Sequence, residues 1–159
     1  MLYKELDIYR LSIHMFEINA WWYFLKLRPH LGRQVSAVMA VLLGGQLSGR
    51  QCNFTGPACR ICDSMQTDNK SHILFHCQAT HYERSRNLGQ VLHKMPQAMS
   101  NSYQTLSENE KLVFLLSGLK SNSTAEWPDI YEAIARWVFA IYQTRKSIYD
   151  GMDEMTGLL

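Results

Sequence analysis

The chain has 159 residues, with 47% hydrophobic and 19% charged residues, a balance that excludes a disordered polymer and suits one domain with its own core. The longest apolar run, Ala37 to Leu43, is far short of the about 18 residues a membrane-spanning helix needs. Net charge is +2, but it is uneven: Arg28 to Lys94 holds eight basic and three acidic residues, a net of +5, and the rest holds eight and eleven, a net of −3.

The first segment, Leu6 to Leu27, repeats apolar residues at gaps of three and four (Leu6, Tyr9, Ile13, Phe16, Ala20, Tyr23 or Phe24, Leu27), which predicts a helix. Ile18, Trp21 and Trp22 add bulk on other faces, so this helix is expected to be sandwiched or docked on a partner. Pro29 ends it. A second helix is predicted from His30 to Leu43, with Leu31, Val35, Val38, Met39 and Leu42 inward, stopped by Gly44-Gly45. Residues 46–57 are rich in Gly, Ser, Asn and Pro and read as a loop.

A third helix is expected from Ser71, with Leu74, Phe75, Tyr82, Leu88 and Leu92 inward, closed by Met95-Pro96. Met95 to Leu106 reads as a polar connector. Ser107-Glu108-Asn109-Glu110 is a capping box, in which hydroxyl and carboxylate satisfy free amides at a helix start. That helix runs to Leu116 and ends by Gly118. Trp127-Pro128-Asp129 opens the last helix, with an inner stripe of Ile130, Ile134, Trp137 or Val138, Ile141 and Ile148. The expected architecture is all-α: a bundle of about five helices in one domain, 1–150, with a zinc knuckle inserted at 57–80 and a flexible tail at 151–159.

All four cysteines lie between positions 52 and 77, whereas a disulfide framework spreads its bridges through a fold. Cys59-Arg60-Ile61-Cys62 begins a C-x2-C-x9-H-x4-C span that closes on His72 and Cys77. Two thiolates at that spacing share one turn, and the nine residues that follow, with room for a short hairpin, return the chain to complete a tetrahedron. Sulfur and nitrogen donors favour Zn2+ over calcium or magnesium, and four protein ligands make a structural site. Cys52 and His76 are the rival ligands. Arg60 and Lys70 are candidate donors to the thiolates, with a plain solvent-facing role as the alternative. With Arg84, Arg86 and Lys94 they form a candidate strip for the phosphates of RNA or DNA.

Enzyme signatures are missing: there is no G-x-S-x-G, H-E-x-x-H, Walker A or Asp-Asp sequence. Glu126, Asp129 and Glu132 beside Trp127 read as helix-start acids. No enzyme activity is expected. The first residues lack the basic-then-apolar plan of a signal peptide, so the expected location is intracellular, in cytoplasm or nucleus. The sequons at Asn53, Asn69 and Asn122 then read as chance.

An apolar helix ending in Leu42-Leu43-Gly44-Gly45, a short loop, Cys59-x2-Cys62, Ser71-His72-Ile73-Leu74-Phe75-His76-Cys77 and then Arg84 and Arg86 occur in that order. Over Pro29 to Arg86 this resembles the zinc-binding region C-terminal to the reverse transcriptase of non-LTR retrotransposons. The resemblance implies Cys59, Cys62, His72 and Cys77 as metal ligands. It also implies help to a polymerase in holding template RNA or target DNA. The polymerase palm carboxylates and a restriction-like endonuclease signature are absent, so the chain would be a terminal fragment or a domain separated from its polymerase. The second expectation is a protein-interaction module with a purely structural zinc, its partner surface the helix of Trp21-Trp22-Tyr23-Phe24.

Overall fold

The computed structural model describes residues 14–42, 58–116 and 127–156. Six α-helices occur among them: α1 (His14–Leu27), α2 (Gly32–Leu42), α3 (His81–Lys94), α4 (Gln97–Gln104), α5 (Glu108–Leu116) and α6 (Trp127–Thr156). The only extended pairing among the described residues is one antiparallel bridge, Ala58 to Thr67. The all-α bundle with an inserted cysteine–histidine knuckle is therefore observed. The expected loop at 46–57, Cys52 and the first residues of the predicted N-terminal helix lie outside the described residues.

The 30-residue α6 is the axis, about 45 Å long at 1.5 Å per residue. It packs along α3 and α2. Ile130, Ile134, Trp137, Val138 and Ile141 on α6 are all fully buried, as their spacing predicts. They meet Trp21 and Phe24 of α1, Val35, Val38 and Val41 of α2, Val91 of α3 and Leu115 of α5 in one core. Trp21 also donates its indole N–H to the Leu116 carbonyl at 2.8 Å, tying α1 to the end of α5. Where α1 ends, Arg28 pairs with Asp129 at 3.1 Å and Glu132 at 2.6 Å, so the acids beside Trp127 hold the start of α6 against α1.

Three stretches differ from the periodicity. Met95 to Leu106 is not a connector but contains α4, whose Tyr103 is buried against Phe114. The last helix continues through Gly151 to Thr156 instead of fraying after Asp150, with a Lys146–Asp150 ion pair one turn apart on its surface. The helix expected from Ser71 is broken. A wide turn at His72–His76 gives way to extended backbone at Cys77 (φ −58°, ψ 119°), then a tight turn at Gln78–Thr80, and only then α3. A continuous helix would carry Cys77 past the side on which Cys59 and Cys62 lie, and the break brings its sulfur back to them.

Candidate metal centre

The knuckle begins where Cys59 leaves the Ala58–Thr67 bridge. Its amide donates to the Gln66 carbonyl at 2.8 Å, closing the loop that holds Cys62. Met65 turns at the tip with φ 58°, a left-handed conformation that costs a non-glycine residue about 1 kcal/mol. At the returning end, the Asn69 side chain accepts from the His72 amide at 2.9 Å and starts the wide turn.

The ligand atoms of Cys59, Cys62, His72 and Cys77 all lie within 4.8 Å of one another. The Cys59 and Cys77 sulfurs are 3.9 Å apart, too far for a disulfide bond of about 2.05 Å. The Cys62 sulfur lies 3.4 Å from His72 Nε2. Tetrahedral bonds of about 2.3 Å to sulfur and about 2.05 Å to nitrogen require edges of about 3.8 Å between sulfurs and about 3.5 Å between sulfur and nitrogen. Both of these edges match, and the four residues form a group that can hold a metal ion. His72 Nδ1 is 2.8 Å from the Gln66 side-chain oxygen, which fixes that nitrogen as the protonated one and leaves Nε2 to face the sulfurs.

The four ligands are not equivalent. Cys59 and Cys77 are buried, as is His72, whereas Cys62 is half-exposed and touches the Ser64 hydroxyl at 3.0 Å. Burial pushes the Cys59 thiol up to about 12, with Asp68 adding to the effect. At Cys62 burial acts in the same direction, but hydrogen bonds from Ser64 outweigh it and hold this thiol below its ordinary value. Burial also lowers His72, which keeps its imidazole neutral and fit to ligate.

The sequence did not single out a fully buried charged group here. Arg145, on α6, is fully buried. Its Nη1 donates to Cys77 at 3.6 Å and to Cys59 at 3.8 Å. Its Nη2 donates to both oxygens of Asp68, at 2.9 and 2.7 Å. Tyr149, one turn on, adds a 3.5 Å hydrogen bond to Asp68 and places its ring 5.8 Å from the guanidinium. The available signal was register: Arg145 follows Ile141 by four residues and so continues the buried stripe, where Ile148 had been expected.

His76 does not rival His72. His76 is outside the ligand group; it is exposed and meets Glu108 of α5 at 2.6 Å, with Ser71 donating to the same carboxylate. Arg60, Arg86 and Lys94 are exposed, and Lys70 is half-buried. Arg84 departs from the expected strip. It is buried and donates to the Cys77 carbonyl at 2.7 Å, because two residues of α-helix turn it about 200° from Arg86. It is a support of the knuckle. No family model, curated protein or solved structure matches the chain.

Proposed function

We propose that the chain is a zinc-stabilised helical module that binds nucleic acid, of the kind that follows the reverse transcriptase in non-LTR retrotransposons and helps it hold template RNA or target DNA. Three soft sulfurs and one imidazole at tetrahedral edges favour zinc, and four protein ligands leave it no open position for a substrate. When bound, zinc supplies a cross-link between the two arms of the knuckle. Elemental analysis of the purified protein is expected to return one zinc per chain. A preparation that folds identically and retains no metal would refute this reading.

The observation that carries nucleic-acid binding is the outward face of α3. Tyr82, Arg86, Gln90, His93 and Lys94 follow one another at helical spacing and are all exposed, with Arg60 exposed on the knuckle. Cations for phosphates beside an exposed aromatic ring for a base suit a flexible strand. Binding to single-stranded RNA or DNA should weaken with salt, at a slope of about −0.7 per phosphate contacted. Arg86→Glu with Lys94→Glu should weaken it on every sequence and flatten that slope. A slope near zero in the native protein would remove the proposal.

A second reading rests on α1, where Trp22, Tyr23 and Leu27 are about half exposed. Large apolar side chains outside a core are frequent anchors of protein interfaces. On this reading the zinc is purely structural, and Trp22→Ala, not the Arg86/Lys94 variant, abolishes partner binding.

A further inference from the structure

Arg145 is wholly buried on α6, beside the ligand cluster. Its guanidinium is divided in function: one terminal nitrogen serves the two buried sulfurs, and the other serves Asp68. The Asp68 side chain is itself 5% exposed, so the carboxylate has given up water to hold the fork in place. Three thiolates around a divalent ion leave one net negative charge, and burying that charge is costly unless donors face it. Arg145 faces Cys59 and Cys77, whereas Cys62 meets the hydroxyl and backbone of Ser64 and is partly open to solvent.

We propose that Arg145 is the positioning residue of the metal centre, retaining the ion on the Cys59–Cys77 pair from within the terminal helix and leaving Cys62 as the ligand through which the centre opens. This rests on the zinc reading above. It goes further in making the centre asymmetric, with a locked inner edge and an exchangeable outer one. Loss of an outer-sphere partner typically costs about 10- to 100-fold in metal affinity. A buried Arg–Asp pair with no role toward the metal would, by contrast, change the metal-bound and metal-free proteins alike.

The test uses the full chain carrying Cys52→Ser, so that the three ligand thiols are the only ones present. Zinc transfer to a chromogenic chelator is timed, and N-ethylmaleimide labelling of the metal-loaded protein is mapped by mass spectrometry. The native Arg145 protein should be labelled first at Cys62, with Cys59 and Cys77 following only as metal leaves. Arg145→Met should release zinc at least about tenfold faster, and its labelling order should be lost. Arg145→Lys, which keeps a donor, should restore part of the retention and shift the thiolate-to-metal charge-transfer bands of the cobalt-loaded protein. If Arg145→Met does not fold, Asp68→Asn, which unseats the guanidinium without removing it, should still speed release several-fold. Release at the native rate in these variants, or first labelling at Cys59 or Cys77, overturns the proposal. Failure of the native protein to show cobalt–thiolate bands would instead overturn the metal reading on which it stands.

Discussion

His72 shows how much of this centre depends on single hydrogen bonds. Its ring is useful to a metal only if Nε2 is the bare nitrogen, and the Gln66 side chain at Nδ1 selects that state. Gln66→Ala is expected to lower metal affinity by about tenfold without altering the helical circular-dichroism signal, as measured by competition with a chelator of known affinity. Trp21 offers a comparable case in the core. Trp21→Phe keeps most of the apolar bulk but leaves the buried Leu116 carbonyl without its donor, a loss of about 1–3 kcal/mol in chemical denaturation. The four candidate ligands, which the structure brings into one group, were legible from the sequence because a thiol pair, a histidine and a last thiol at that spacing have few other uses. Arg145 was not, because an arginine in a helix reads as surface until its neighbours on the same face are known to be buried.

At the scale of elements, the starts of α5 and α6 were readable, since caps act locally, whereas those of α3 and α4 were not. The capping box of α5 forms as its residues predict: the Ser107 amide donates to Glu110 at 2.8 Å and the Glu110 amide to the Ser107 hydroxyl at 3.3 Å. Ser107→Ala should cost about 1 kcal/mol of stability, read from the denaturation midpoint. The hydrogen bond from the Ser107 amide, with that of its hydroxyl, holds the Glu110 carboxyl below its ordinary value. Stability from this depressed group is present above the unfolded carboxylate value of about 4.3 and is lost as pH falls through the folded value. The melting temperature of Glu110→Gln should therefore lie below that of the native protein at pH 7, with the gap closing as pH falls below the carboxylate range. The break at Cys77 was not readable. Residues 71–94 keep a helical apolar pattern, and nothing local in them says that the chain must stop to turn a sulfur inward.

For the whole molecule, the knuckle and the bundle meet at α6, and on the zinc reading each is a source of stability. The core of Trp21, Phe24, Val38, Val91, Ile134 and Ile141 contains none of the ligands, so removing metal should leave most of the helical signal while lowering the melting temperature. Ile134→Ala, in the first third of α6, should cost about 3 kcal/mol whether or not metal is present. Calorimetry of both forms checks the two expectations together. Among the described residues no helix is long and apolar enough to cross a membrane.

The sequence by itself determined what repeats or recurs at short range. These are the helical class, the inner face of α6, the cap of α5 and the four metal-ligand candidates, because periodicity, capping and ligand spacing act within a few turns of chain. Tertiary structure alone decided which polar groups serve the centre. It brought Arg145 across 68 positions to Cys77 and 77 to Asp68, turned Arg84 inward while leaving Arg86 outside, and sent His76 to Glu108. Those assignments depend on which elements pack together, and burial makes a charged group seek a partner only once the packing has removed its water.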